Sequence, residues 1–137
     1  MGDLTEHFSK SEMMCHCGCG RCDVTPELMA ALEAVRAIVK LPLHITSGYR
    51  CPAHNAACGG AKSSQHMLGM AADVQCADMG FLYEAALKVP AIHGIGIYLR
   101  PGGWIHLDVR DHDARWAEDG LKRAMPFDAA VKVLLDK

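Results

Sequence analysis

The chain has 137 residues, half of them apolar, which is enough to bury the core of one ordinary domain without crosslinks. Its formal charge of -2 comes from mixed acidic and basic residues, so we expect no nucleic-acid partner and no anionic membrane partner. No apolar stretch approaches the roughly 20 residues that span a bilayer, and residues 1–5 lack a signal-peptide pattern, so membrane insertion is not expected.

The first 24 residues predict a cysteine-rich N-terminal arm. Residues 9–12 have the spacing of a capping box that opens one helical turn. Residues 15–22 are too glycine-rich for regular structure and hold four of the seven cysteines, namely Cys15, Cys17, Cys19 and Cys22. This cluster can hold a second, structural metal ion, pair in disulfides with the other three cysteines (Cys51, Cys58 and Cys76), or stay reduced. The odd number of cysteines excludes complete internal pairing.

Helices and strands are predicted in the middle of the chain. Thr25 and Pro26 form an N-cap that opens an amphipathic helix over 26–39. Residues 43–46 alternate like a strand, which brings Arg50 close to its end. A short buried strand is predicted over 71–74. A second helix follows over roughly 78–88, with Asp78 as its cap.

A hairpin and a final helix are predicted in the last third. Residues 94–98 and 104–109 alternate with period two around a turn, so His106 and Asp108 share one face. Pro126 starts a helix that can pack onto the sheet. These elements predict one α+β domain over residues 1–137, with a small antiparallel sheet flanked by helices. The arm would occupy 1–24, and the catalytic core would occupy 25–137.

One stretch, residues 64–73, suggests a metal site. With a turn at Gly69, the side chains of His66 and Asp73 can converge, and the hairpin can add His106. Two imidazoles and one carboxylate suit zinc, and three protein ligands leave a fourth position open for water. Spacing alone is weak support, because a histidine and an aspartate seven residues apart often occur by chance.

The motifs around these residues resemble those of a known family. The pattern contains Ser47-Gly48-Tyr49-Arg50, His54-Asn55, Ser64, His66, Gly69, Ala71, Asp73 and Trp104-Ile105-His106-Leu107-Asp108. It is similar to the M15-type zinc peptidases, which include D-Ala-D-Ala carboxypeptidases and peptidoglycan endopeptidases. The Phe8–Glu12 and Cys-Gly start is similar to the small phage-like members. The resemblance covers most of the chain and implies a hedgehog/DD-peptidase-like fold.

The resemblance implies roles for individual residues. His66, Asp73 and His106 match the zinc ligands. Arg50 matches the arginine that contacts the substrate or polarises the scissile carbonyl, with a surface salt bridge as the alternative. Ser64 can bind the peptide or cap a loop, and Tyr98 can line a substrate groove or pack in the core.

One position departs from the family pattern. Many members place an acid three residues before the last zinc histidine, but Gly103 stands there in this chain. The small phage-like members also carry an acid at the position of Asp108, which is therefore either the general base or the acceptor that orients His106. His93 and His112, which flank the hairpin, are the next acid/base candidates.

The function implied by the resemblance is zinc-dependent hydrolysis of stem-peptide or crosslink bonds in peptidoglycan. We expect a monomeric, endolysin-like enzyme of phage or prophage type that is made in the cytoplasm and acts on the cell wall after release. One alternative is a carboxypeptidase or dipeptidase that acts on free D-Ala-D-Ala ends. The other, motivated by Gly103, is a non-catalytic zinc-stabilised module for wall binding or virion assembly.

Overall fold

The structure is a computed structural model that describes residues 2–136. A five-stranded mixed sheet lies at the centre of this part of the chain. The elements in chain order are α1 (Lys10–Met13), α2 (Pro26–Val39), β1 (His44–Ser47), α3 (Pro52–Ala57), a 3₁₀ helix (Gln65–Leu68), β2 (Ala71–Gln75), α4 (Met79–Leu87), β3 (Gly94–Tyr98), β4 (Trp104–Asp108), β5 (Ala114–Glu118) and α5 (Phe127–Leu135). None of the described helices is both long and apolar enough to cross a membrane.

The strand order is β1-β2-β4-β3-β5. Neighbouring strands run antiparallel except β3 and β5, which run parallel. In this register Asp73 of β2 lies directly opposite His106 of β4, and Gly96 of β3 lies on the other side of His106. Directly paired residues point to the same face of a sheet. The strand pairing therefore places Asp73 and His106 side by side.

The two faces of the sheet have different roles. One face is apolar and packs against the helices, with Ile95, Ile97, Ile105, Leu107 and Val74 fully or almost fully buried. The helix α2 contributes Leu28, Leu32 and Val35 to the same core. Because side chains alternate along a strand, His106 and Asp108 point to the opposite face. The polar residues of the sheet are thus collected on the face that the long helices leave free.

The predicted α+β class is confirmed, and most predicted elements are present. The helix over 26–39 has the predicted bounds, and Leu28 N–H donates to the Thr25 side chain at 3.1 Å. Phe81 N–H likewise donates to the Asp78 carboxylate at 2.9 Å, which caps α4. The hairpin of β3 and β4 also forms where the alternation predicts it.

Three elements were not predicted: α3, the 3₁₀ helix and β5. The two helices have six and four residues, which is too short for a helical pattern to show. The strand β5 lies at the edge of the sheet, and of its five residues only Ala117 is buried. An edge strand of this kind lacks the alternation that marks a half-buried strand, and it makes the sheet mixed.

The arm packs against the rest of the domain. Phe8 and Met13 are almost completely buried in the main core, at 1% and 0% exposure. The backbone N–H of Tyr49 donates to the carbonyl of Met13 at 2.8 Å. A Cβ at Gly48 would lie 2.6 Å from the same carbonyl oxygen. The chain just before Arg50 is therefore in close contact with the end of α1.

Candidate metal and substrate-binding site

Three predicted ligands meet on the polar face of the sheet. His66 comes from the 3₁₀ helix, Asp73 from β2 and His106 from β4. Each offers one ligand atom within 4.8 Å of the other two. The Oδ1 atom of Asp73 lies 3.2 Å from His66 Nε2 and 3.2 Å from His106 Nδ1. All three residues are buried, with exposures between 2% and 6%.

The turn at Gly69 brings His66 to Asp73. Gly69 has a φ of 70°, in the left-handed region, and a Cβ there would lie 1.7 Å from the carbonyl oxygen of Asp23. Only glycine fits such a close approach at this φ. At the other end of the 3₁₀ helix, His66 N–H donates to the Ser64 hydroxyl at 3.2 Å. Ser64 thus has the capping role that the sequence left open.

Each imidazole uses one ring nitrogen for a hydrogen bond to an outer partner and turns the other towards Asp73. His66 Nδ1 lies 2.7 Å from the carbonyl oxygen of Gly48, which can only accept, so Nδ1 carries the proton. His106 Nε2 lies 2.7 Å from Asp108 Oδ2, so Nε2 donates to that carboxylate. The other two nitrogens, His66 Nε2 and His106 Nδ1, both face Asp73 Oδ1, and they are the nitrogens that would bind a metal ion. Such outer partners are typical of metal-binding histidines.

The two carboxylates next to His106 both have lowered pKa values. Burial alone would raise the pKa of Asp73, but hydrogen bonds from His106 and His66 outweigh it and hold the pKa well below its ordinary range. For Asp108, burial is likewise outweighed by hydrogen bonds from His106 and Arg110, which lower its pKa. Burial lowers the pKa of His106, but hydrogen bonds with Asp108 and Asp73 raise it overall. The imidazole of His106 therefore lies between two ionised carboxylates, one at each ring nitrogen.

The donor set fits zinc. Two neutral imidazole nitrogens and one carboxylate oxygen are borderline and hard donors of the kind that zinc accepts. Among the described residues this group contains three ligands, which is the number found in catalytic sites that keep one position for water or substrate.

A cavity of about 550 Å³ opens above the three ligands. The predicted substrate-binding residues Arg50, Ser64 and Tyr98 all line it. Its aromatic wall is made by Tyr98 and Trp104, which stack with ring centroids 4.9 Å apart, and by Trp116. Trp116 Nε1 donates to the Tyr98 hydroxyl at 2.7 Å. This size is in the range of small-ligand pockets.

The family profile described as Peptidase M15 matches residues 6–108, about three quarters of the chain. The chain belongs to the peptidase M15 family. This confirms the family that the sequence motifs indicate, and membership implies a metallopeptidase. No curated protein matches the chain. All three candidate ligands lie inside the matched region.

In this M15 chain, Arg50 is fixed beside the ligand Asp73. Its Nη2 donates to Asp73 Oδ2 at 3.2 Å, and its Nη1 donates to Asn55 Oδ1 at 3.1 Å. Its Nε donates to the Ser47 hydroxyl at 3.0 Å. Only 15% of the side chain is exposed, so this is not the surface salt bridge considered as the alternative. A guanidinium held in this way is preorganised to meet negative charge in the cavity.

Asp108 lies behind His106, away from the cavity. It is fully buried, and it is not among the described residues that line the cavity. Its Oδ2 accepts from His106 and from Arg110 Nη2 at 2.7 Å each, and its Oδ1 accepts from Arg110 Nε at 2.9 Å. Both oxygens are therefore occupied. Of the two roles considered, this geometry suits the acceptor that orients His106.

The position of the missing family acid is closed to any side chain. A Cβ at Gly103 would lie 2.0 Å from the carbonyl oxygen of Tyr98. An acid at this position would require the hairpin to change its path. His93 and His112 do not replace it, because they bond to Asp113 and Asp111 and do not line the cavity.

The sequence analysis missed two charged residues of the cavity, Glu118 and Arg100. Glu118 ends β5, and among the described residues that line the cavity it is the one carboxylate outside the ligand group. Arg100 Nη2 lies 4.0 Å from Glu118 Oε1, and its guanidinium lies 4.6 Å from the ring centroid of Trp104. The available signal was the spacing of Trp116 and Glu118, which are two residues apart and so lie on the same face of a strand. This signal can be used only after residues 114–118 have been identified as a strand.

The structure groups three of the four arm cysteines that the sequence suggests with a different fourth residue. Cys15, Cys17 and Cys19 lie together, but their fourth neighbour is Cys51, which precedes α3. Cys22 instead packs against the main core. Between Cys19 and Cys22 the chain passes through Gly20, which has a φ of 78° in the left-handed region. All seven cysteines are unpaired.

Proposed function

We propose that this chain is a zinc peptidase that hydrolyses bonds in peptidoglycan stem peptides. The observation that carries the proposal is the convergence of His66, Asp73 and His106 at a cavity, within a chain of the peptidase M15 family. The peptidoglycan substrate is supported by the resemblance of the motifs to the wall-degrading members. When bound at this site, zinc would supply a Lewis acid that polarises the scissile carbonyl and makes water more acidic.

Arg50 and Asp108 would have different roles in this reaction. Arg50 projects a guanidinium beside Asp73, where it can stabilise negative charge as it develops on the carbonyl oxygen of the substrate. Asp108 keeps the proton of His106 on Nε2, so that Nδ1 remains free to bind the metal. Asp108 is therefore a positioning residue in this proposal.

Glu118 would accept the proton. As the water oxygen bonds to the carbonyl carbon, one proton passes from the water to the Glu118 carboxylate. When the C–N bond breaks, that proton passes to the leaving nitrogen, and the carboxylate is regenerated. Its position in the cavity supports this role, as does the absence of a competing carboxylate outside the ligand group among the described lining residues.

The charges of the cavity suit a substrate that carries carboxylates. Arg50, Arg100 and Arg110 line the cavity, against Glu118 and the ligand Asp73. The guanidinium of Arg110 is already bound to Asp108 at 2.7 Å, whereas the carboxylate approached by Arg100 is that of Glu118, at 4.0 Å. Arg100 is the guanidinium most available to pair with a free carboxylate, and stem peptides carry several.

The test is hydrolysis of purified sacculi by the full chain loaded with zinc, followed by mass spectrometry of the soluble products. We expect products from the native chain, none from His66→Ala, and recovery after chelation only when zinc is returned. Crosslinked stems released as monomers indicate an endopeptidase, and release of a terminal D-alanine alone indicates the carboxypeptidase alternative. Binding to sacculi without any product would support the non-catalytic module and overturn the proposal.

We also propose that the enzyme acts as a monomer on the cell wall after release from the cytoplasm, in the manner of an endolysin of phage or prophage type. The similarity of the arm and motifs to the small phage-like members supports this. Cytoplasmic expression should leave host cells intact until the inner membrane is permeabilised, and lysis should follow in the native chain but not in His66→Ala. Lysis without permeabilisation would contradict it.

A further inference from the structure

Four cysteine thiols meet at a second point, outside the cavity. Cys15, Cys17 and Cys19 belong to the arm, and Cys51 directly follows Arg50 in the chain. Their sulfur atoms all lie within 4.8 Å of one another. The Cys15 and Cys17 sulfurs are 3.4 Å apart, and those of Cys17 and Cys51 are 3.6 Å apart.

These distances match a metal tetrahedron better than a disulfide. A disulfide requires sulfur atoms about 2.05 Å apart. Four thiolates at about 2.3 Å from a central zinc ion lie about 3.8 Å from one another, which follows from tetrahedral geometry. The observed separations are near the second value, and all four cysteines are unpaired.

The backbone around the cluster supports thiolate sulfurs. The N–H of Cys51 donates to Cys15 Sγ at 3.4 Å, and the N–H of His54 donates to Cys51 Sγ at 3.4 Å. Such donors stabilise negative charge on sulfur and are typical partners of metal-bound cysteines. Two of the four sulfurs, those of Cys15 and Cys51, thus accept backbone hydrogen bonds in the way that metal-bound thiolates do.

The loop that carries three of these cysteines has few other contacts to hold it. Residues 16–21 are exposed, and a single backbone bond, from Cys15 N–H to the carbonyl of Arg21 at 2.8 Å, closes the loop. Gly18 and Gly20 adopt φ values of 91° and 78°, which let the loop wrap around one point. A bound ion would account for this conformation in a segment that buries little apolar surface.

We propose that Cys15, Cys17, Cys19 and Cys51 bind a structural zinc ion that fastens the N-terminal arm to the chain at Arg50. All four positions are filled by protein, so the ion has no open position for chemistry. Because Arg50 and Cys51 are adjacent, the ion would hold the substrate-side guanidinium in place through the backbone. The protein would then carry two zinc ions of different kinds, one structural and one at the cavity.

The test is the number of zinc ions per chain, measured by elemental analysis of the full-length protein purified under reducing conditions. We expect two in the native chain and one in Cys19→Ser. The matched control is Cys22→Ser, in the same segment but outside the cluster, which should keep two. His66→Ala should keep the cysteine-bound ion, so failure of the cavity site and failure of the cysteine site are distinguishable.

Cobalt substitution supplies a readout that does not depend on the folding of a cysteine variant. We expect thiolate-to-cobalt charge-transfer absorption in both the native chain and His66→Ala, because the cysteine site is intact in each. The absence of this absorption would overturn the proposal. So would a single zinc ion in the native chain that His66→Ala loses, or loss of an ion in Cys22→Ser equal to that in Cys19→Ser.

Discussion

At the scale of single residues, the candidate site depends on side chains behind the ligands as much as on the ligands themselves. Asp108 does not reach the cavity, yet it decides which nitrogen of His106 faces Asp73. Its second partner, Arg110, binds both carboxylate oxygens and keeps the group ionised and fixed. The effect of changing Asp108 should therefore appear first in metal binding.

For Asp108→Asn, we predict that zinc affinity at the cavity falls by about 10- to 100-fold, because the amide no longer holds His106 in the required tautomer. Competition with a chromogenic chelator measures the change. Asp111→Asn is the matched control, since Asp111 also bonds to a histidine but is fully exposed. A loss of turnover with unchanged zinc affinity would instead identify Asp108 as the base.

For Glu118→Gln, we predict that kcat falls by about 10²- to 10⁴-fold while the zinc content stays unchanged, because the amide cannot accept a proton. Turnover of sacculi, with the metal content of the same sample, measures both quantities. Glu84→Gln removes an exposed carboxylate on α4 and should leave the rate unaltered. Unimpaired turnover in Glu118→Gln would exclude this glutamate as the proton acceptor.

At the scale of elements, the packing of β3 against β5 shapes the cavity. Gly96 of β3 leaves the space that the indole ring of Trp116 fills, and a Cβ at Gly96 would lie 2.4 Å from that ring. The same ring lies 4.9 Å from the His106 imidazole, measured between centroids. Because Gly96 has no side chain, the indole ring of Trp116 can cover the predicted metal ligand His106.

For Gly96→Ala, we predict a loss of about 1 to 3 kcal/mol in the free energy of unfolding, because the methyl group forces Trp116 out of its position. Urea unfolding followed by fluorescence measures it. Gly120→Ala is the control, because a Cβ there meets no atom within 4 Å. Equal stability of the two variants would show that the ring moves without cost.

The contact between the arm and α2 is a second feature at this scale. Glu33 of α2 accepts from the Thr5 hydroxyl at 2.7 Å, from the His7 N–H at 2.7 Å and from His7 Nδ1 at 2.6 Å. Burial alone would raise the pKa of Glu33, but these hydrogen bonds outweigh it and lower the pKa. A lowered carboxyl pKa stabilises the folded state above the unfolded pKa and ceases to do so as the pH falls.

For Glu33→Gln, we predict a loss of about 1 kcal/mol in the free energy of unfolding at neutral pH. The difference from the native chain should narrow as the pH falls below about 4.3, where the unfolded carboxyl takes up its proton. Denaturant unfolding across this pH range gives both results, with the exposed Glu27→Gln on the same helix as control. A difference that grows on acidification would contradict the assigned sign.

The sequence predicted elements best where the local pattern was complete. The helix over 26–39 combines a cap, a proline at its first position and apolar periodicity, so its bounds needed no tertiary information. The side chains of His66, Asp73 and His106, which motif resemblance brought together, do lie together in the structure. Glu118 could not be predicted, because it reaches the cavity through the edge strand β5, which the pattern does not reveal. Cys51 could not be predicted, because it is far in sequence from the arm cysteines that it meets.

At the scale of the whole molecule, the two groups of metal-binding side chains connect distant parts of the chain. The cysteine group joins the arm to the start of α3, and the histidine group joins the 3₁₀ helix to the centre of the sheet. Ligands that bind the folded state alone stabilise it, by about 4 kcal/mol when their concentration is 1,000 times the dissociation constant.

We therefore predict that chelation lowers the midpoint of thermal unfolding and that zinc restores it. His66→Ala should start from a lower midpoint, and chelation should lower it again, because the cysteine group still binds an ion. Scanning calorimetry with and without chelator measures both steps. If chelation leaves the midpoint of His66→Ala unaltered, the second ion contributes nothing to stability.

The hairpin at Gly103 and the strand β5 divide the proposed roles between two parts of the chain. The closed turn excludes any side chain at position 103. All three candidate metal ligands lie within residues 6–108, the segment that matches the family profile, whereas Glu118 lies beyond it. The proposed proton acceptor can therefore be varied apart from the proposed metal site: a replacement at position 118 changes a residue outside the family match and leaves all three candidate ligands as they are.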